Sequence, residues 1–138
     1  MKIAANQIEG FLRNPGALRG ALFFGPDEGS ARAHSRKLCQ HFLGANFDSF
    51  NLTEIGADSL SDDPARLSDE LSSFSLMGGN RVVLLRNASN EVADVVKSAL
   101  LSEPAPVWPL IVLAGDLRPT SKLRKVFEGD KQMAAIGC

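Results

Sequence analysis

The sequence predicts an α/β fold of three layers: a parallel five-stranded sheet with helices on both faces. Two observations carry this. Short runs that are apolar throughout, "ALFF", "RVVLLR", "PLIVLAG" and "QMAAIGC", are separated by segments with helical spacing of apolar residues. Strands without polar alternation are buried on both faces, and right-handed crossovers place a helix over each side of a parallel sheet. The length of 138 residues, with 44% hydrophobic and 22% charged residues, suits one domain with one sizeable core.

The elements follow in order. Ile8, Phe11 and Leu12 at i, i+3 and i+4 predict a short helix within residues 4 to 14, closed by Asn14, Pro15 and Gly16. "ALFF", residues 21 to 24, reads as a buried strand ending at Gly25 and Pro26. Ala31, Ser35, Leu38 and Phe42 then share one helical face, with Asp27 or Ser30 as N-cap and Gly44 as terminator. "DSFNL" supplies a second strand. A helix follows with Asp63 as N-cap, Pro64 at its first position, and Leu67, Leu71 and Phe74 at helical spacing. "RVVLLR", residues 81 to 86, is the third strand, bounded by Gly78, Gly79 and Asn80 before it and Asn87 after it. Val92, Val95, Val96, Ala99 and Leu100 form the stripe of a helix ending before Pro104. "PLIVLAG" is the fourth strand, "TSKLRKVFEG" a helix with Leu123, Val126 and Phe127 inward, and "QMAAIGC" the fifth strand. Natural domains seldom stop inside a central sheet, so the chain is expected to be a fragment of a longer one.

Several function classes receive no support. The net charge of -1 announces no nucleic-acid partner through bulk charge. Cys39 and Cys138 belong to no C-x-x-C pair, so neither a disulfide framework nor zinc is indicated, and a reducing cytoplasm is the expected setting. No apolar leader or membrane-length segment is present. His34 and His41 lie about 10 Å apart along one helix, too far to share a metal unaided. No G-x-S-x-G elbow and no tyrosine occur.

One loop invites a nucleotide. "FFGPDEGSARAH" runs a strand through Gly25, Gly29 and Ser30 into a helix, as a phosphate-cradling G-x-x-x-x-G-K-[ST] loop does. Aligned from Gly25, the last three positions hold Ser30, Ala31 and Arg32, so the lysine and the magnesium hydroxyl are missing. Asp27 and Glu28 put two negative charges where phosphates would lie, and like charges 4 Å apart repel by about 4 kcal/mol at an effective dielectric of 20. Where a nucleotide hydrolase carries an acid at the end of the third strand, this chain has Arg86 and Asn87. Two readings stay open: a divergent nucleotide-binding enzyme or ATPase, and a tight strand-to-helix turn with no ligand.

The second segment that asks for a role is "LSSFSLMGGNRVVLLR". Phe74 points inward by its spacing from Leu67 and Leu71, which leaves Leu76 and Met77 at a helix end before two glycines. They either fold under the core or protrude as an apolar plug for a partner's pocket.

Taken together, "FFGPDEGSARAHSRKL", "SFSLMGGNRVVLLRN" and "PLIVLAGDLRPTSKLRKVFE" resemble the N-terminal domain of the delta subunits of bacterial DNA polymerase III, the clamp-loader wrench, over essentially the whole chain. The resemblance implies a P-loop NTPase-like fold of the AAA+ type with a degenerate nucleotide loop at Gly25, Gly29 and Ser30, no cofactor and no metal. It implies a non-catalytic part of a nucleotidyltransferase holoenzyme that binds the sliding clamp (beta subunit) and helps open it for loading onto primed DNA. The other clamp-loader subunits, delta prime and tau/gamma, are the remaining partners, and ATP is handled by sister subunits of the loader. The family engages the clamp with a hydrophobic pair, typically Leu-Phe after a small residue, at the end of the helix before the third strand. Leu76 and Met77 match that pair, Ser75 precedes them and Phe74 stands beside them; Met77 departs from the usual phenylalanine, and Ser72 stands where some members have glutamine. Arg118, Lys122, Arg124 and Lys125 either face DNA phosphates in the assembled loader or form a solvated helix face.

Overall fold

The computed structural model describes residues 1–44, 51–73, 78–103 and 105–138. Among these the chain forms, in order, β1 (Lys2–Ile3), α1 (Ile8–Arg13), β2 (Gly20–Phe24), α2 (Glu28–Leu43), β3 (Leu52–Gly56), α3 (Ala65–Leu71), β4 (Val82–Ala88), α4 (Ala93–Leu100), β5 (Leu110–Ala114), α5 (Lys122–Glu128) and β6 (Met133–Gly137). All strand pairs are parallel, in the order β1-β6-β2-β5-β4-β3.

The order follows from where the apolar side chains go. β2 alternates, sending Ala21 and Phe23 to one face and Leu22 and Phe24 to the other. The first face is covered by α1 and α2 through Ile8, Ala31, Leu38, Cys39 and Leu43. The second is covered by α3, α4 and α5 through Leu67, Leu71, Val96, Leu100, Leu123 and Phe127. The result is three layers with β2, flanked by β5 and β6, at the centre. Burying a side chain such as Phe23 or Phe127 completely contributes roughly 1.5–3 kcal/mol, and both are fully buried.

The sheet has six strands among the described residues, where the sequence predicts five. The additional strand is β1, which pairs Lys2 with Ala135 and Ile3 with Ile136. Two residues are too short for any period to register. It is held instead by distant partners: the Ala135 amide donates to the Met1 carbonyl at 2.8 Å, and the Met1 ammonium donates to the carbonyls of Phe127, Asp130 and Met133 at 2.8–2.9 Å. A cation there meets the unpaired carbonyls at the end of α5.

The second strand also differs. It runs over Leu52–Gly56, sharing only Leu52 with the expected "DSFNL", of which residues 48–50 lie outside the described residues. As the edge strand it needs only one well-buried anchor, Ile55, and tolerates Thr53 and Glu54. Helix α3 begins at Ala65 with Pro64 as its cap, one position later than expected, although the Asp63 carbonyl still accepts from the Arg66 amide at 3.2 Å.

Candidate functional site

The loop between β2 and α2 stands at the carboxyl end of the central strand, where open α/β sheets place their ligands. It is three residues long. Phe24 closes the strand, Gly25, Pro26 and Asp27 turn the chain, and Glu28 already begins the helix. Gly29 and Ser30, the far end of the expected phosphate loop, therefore lie inside the first turn of α2.

Two of the backbone donors of this loop, the Ser30 and Gly25 amides, are engaged within the protein. The Ser30 amide donates to the Asp27 carboxylate at 3.0 Å, so the N-cap occupies a helix-terminal donor and sets a negative charge beside it. Gly25, at φ +132°, is pressed against the end of the sheet: a Cβ built on it would stand 2.1 Å from the Cys138 carbonyl oxygen. The Cys138 amide donates to the Phe24 carbonyl at 2.7 Å, and the Gly25 amide donates to the Gly115 carbonyl at 3.1 Å. Gly25 is kept bare by protein backbone. Ala31, at the position a phosphate-binding lysine would take, is buried against the sheet.

The end of β4 carries the same message. A cleft of about 270 Å³ opens between α2 and the ends of β4 and β5, lined by Glu28, Arg32, Arg86, Asn87 and Gly115. Arg86 lies 3.6 Å from Glu54, and Asn87 adopts φ 58° beside a register shift in the β4–β5 pairing. The acid that would hold magnesium and orient water at the end of this strand is replaced by a cation and an amide.

One juxtaposition was not legible in the sequence. His34 Nδ1 lies 3.3 Å from Ser30 Oγ and 3.9 Å from Cys138 Sγ, the latter 104 residues away. A cysteine beside a histidine suggests a nucleophile. Burial, with the Asp27 charge in second place, pushes the Cys138 thiol up from its ordinary range, the opposite of what an activated thiolate requires. Cys39 is buried and pushed up to about 12 by desolvation. His41 stacks edge-on against Phe42 at 5.6 Å. Among the described residues no group of three or more His, Cys, Asp or Glu is placed to hold a metal, and no helix is long and apolar enough to cross a membrane.

The basic set on and before α5 divides. Arg118, Lys122 and Lys125 are exposed. Arg124 turns inward: its guanidinium lies 3.1 Å from the Glu128 carboxylate, donates to the Leu117 carbonyl at 3.1 Å and covers the Phe24 ring at 4.4 Å. It joins α5 to the end of β2 and is the one member of the set that does not face solvent.

Phe74, Ser75, Leu76 and Met77 lie outside the described residues. Their flanks are described. Ser73 is held at its carbonyl by the Trp108 indole N–H, 2.6 Å away, and at its hydroxyl by Arg81. On the far side Gly78 and Gly79 have φ +73° and +80°, a left-handed pair that returns the chain to β4 at little steric cost.

The chain matches the family model described as DNA polymerase III, delta subunit, over residues 22–135. Among solved structures, the Bacillus subtilis DNA clamp loader delta protein matches with a TM-score of 0.68 and 18% identity, over 96% of this chain and 42% of that one. A DNA polymerase III gamma subunit-related protein from Thermotoga maritima matches with a TM-score of 0.61 and 18% identity, over 96% of this chain and 45% of that one. The chain thus spans less than half the length of either structure, and at these identities the likeness establishes the fold. A comparison with curated proteins gives no match.

Proposed function

The chain belongs to the DNA polymerase III delta subunit family, and on that premise we propose that it is the N-terminal domain of a clamp-loader subunit that binds the sliding clamp and helps open it for loading onto primed DNA, without using ATP. The observation that carries this reading is the occupied phosphate loop. Its helix-terminal donor is spent on Asp27, its glycine on the Cys138 backbone, and its acid at the end of β4 is replaced by Arg86 and Asn87. A domain with the fold of a nucleotide-binding protein and these substitutions is suited to act as a rigid scaffold.

On this reading the contact with the clamp is made by Leu76 and Met77, with Ser75 and Phe74 beside them. Burying each apolar side chain contributes roughly 1.5–3 kcal/mol. Such a contact opens a ring only when it binds the open form more tightly than the closed one. ATP is bound and hydrolysed by sister subunits of the loader, of which delta prime and tau/gamma are the further partners, in the cytoplasm. The exposed Arg118, Lys122 and Lys125 supply charge toward DNA phosphates, in which role each would lower the salt dependence of DNA binding by about one unit of slope when removed.

The test is a calorimetric titration of the chain with its cognate sliding clamp. Leu76→Ala plus Met77→Ala should weaken binding by roughly 3–6 kcal/mol, enough to abolish a micromolar interaction. Unchanged binding would overturn the assignment of the pair. A saturable thermal shift with millimolar ATP and Mg²⁺ would favour instead a divergent nucleotide-binding enzyme.

A further inference from the structure

We propose that the end of α5 and the turn after it form a site for the free α-amine of Met1, one that an acylated amine does not fill. Four backbone carbonyls converge on that nitrogen: Phe127 at 2.8 Å, Asp130 at 2.9 Å, Met133 at 2.8 Å and Glu128 at 3.2 Å. All four lie at the far end of the chain from the residue they hold. Phe127 and Glu128 close α5, whose last carbonyls have no helical partner. Asp130 stands in the following turn, and Met133 opens β6.

The rest of Met1 is held as well, which fixes the nitrogen among the four oxygens. Its carbonyl accepts from the Ala135 amide at 2.8 Å, and its side chain packs with Ile3 on the core beneath α1 and α2. Beside it, Lys2 lies 3.9 Å from the Glu128 carboxylate. Met1 thereby joins α5, which covers one face of the sheet, to the core on the other face. The chemistry of the occupant follows from the acceptor count. An ammonium offers three N–H donors and a neutral amine two, whereas an acylated nitrogen offers one and adds a carbonyl oxygen. That oxygen would stand among four other acceptors, and acceptors withdrawn from water without donors are costly. Burial draws the amine's pKa below its ordinary range while the Asp130 and Glu128 carboxylates oppose that pull, so selection rests on the number of donors rather than on charge alone. A chain carrying N-formylmethionine at position 1 would close β1 only after hydrolysis: water adds to the formyl carbon, the C–N bond breaks, formate leaves and the nitrogen gains the proton.

The test varies the group on the Met1 nitrogen of the whole chain. A synthetic segment 1–38 is ligated to residues 39–138 through Cys39 and refolded, with the free-amine product as reference. Thermal melting is read together with hydrogen exchange at Ala135, whose amide donates to the Met1 carbonyl. The Nα-formyl and Nα-acetyl chains should melt about 6–12 °C below the reference, the worth of about two hydrogen bonds to a charged group. Their Ala135 amide should exchange at least about tenfold faster, and hydrolysis of the formyl group should restore the reference values. An Nα-methyl chain adds a carbon but keeps the charge and two donors, and it should lose less than half as much. Acylated chains that match the reference in both readings overturn the proposal. So does an Nα-methyl chain as damaged as the acetyl one, because steric room would then set the effect. An expressed chain with Gly-Ser placed before Met1 provides the test if the ligated chains do not refold. It replaces the amine with a peptide nitrogen and should reproduce the acetyl effect; equal stability with the unextended chain overturns the proposal.

Discussion

Gly25→Ala asks whether the loop between β2 and α2 is kept for packing. The added Cβ would stand 2.1 Å from the Cys138 carbonyl oxygen and 2.9 Å from its carbonyl carbon and amide nitrogen. All three are backbone atoms, so no side chain can swing away. An L-residue at φ +132° also carries backbone strain, worth about 1–3 kcal/mol. Displacing Cys138 breaks its bond to the Phe24 carbonyl, worth about 1 kcal/mol, and loosens the end of β6. The variant should lose about 3–4 kcal/mol in urea unfolding followed by circular dichroism, and its melting temperature should fall by about 10–15 °C. Gly29→Ala is the matched control. Gly29 lies within α2, and the nearest atom to an added Cβ is an Asp27 carboxylate oxygen at 3.7 Å, an ordinary contact. That variant should gain about 0.5–1 kcal/mol from helix propensity. A loss below 1 kcal/mol for Gly25→Ala would refute the argument, since the turn would then not be fixed by the packed backbone.

Asp27→Ala should cost about 1 kcal/mol through the lost N-cap, whereas Asp27→Asn should nearly restore stability, and neither should create a thermal shift with ATP and Mg²⁺. Arg124→Met leaves the Glu128 carboxylate, 12% exposed, without its nearest cation and should cost about 2–4 kcal/mol in thermal unfolding; adding Glu128→Gln should recover most of the loss. Cys39 should resist alkylation at pH 8 in the folded chain and react on unfolding. Because its folded pKa is raised from 9.0 to about 12, the folded state holds that proton longer than the unfolded chain does. Its contribution is present below pH 9 and is lost as pH rises toward 12, a slope that Cys39→Ala should reduce in denaturant titrations across that window.

Most of the scaffold was legible because its signals are local. Asp27 and Gly44 cap α2 as their types and spacing predict, and Ala31, Ser35 and Leu38 face the sheet. β2, β5 and β6 announce themselves as uninterrupted apolar runs and β4 through Val82–Leu85, although β4 continues through Arg86 and Asn87 to Ala88, beyond the expected boundary at Asn87. What was illegible depends on partners distant in sequence. β1 exists through its contacts with β6 and α5, not through any pattern in Lys2 and Ile3. Arg124 looks like its exposed neighbours until Phe24 and Glu128 are brought beneath it. The loop's ligand-binding groups could be counted as missing from the residues alone. That Gly25 and the Ser30 amide are engaged by Cys138 and Asp27 required the closed sheet. The Trp108–Ser73 bond likewise joins two loops with no shared motif.

The function proposed for this domain is to hold the clamp through an apolar pair and independently of ATP. The direct measurement is the dissociation constant for the cognate sliding clamp, determined with and without millimolar ATP and Mg²⁺, for the native chain and for Leu76→Ala plus Met77→Ala. Binding should be unchanged by nucleotide and weakened at least a hundredfold by the double substitution. Binding that requires ATP, or that survives loss of both side chains, would contradict that function.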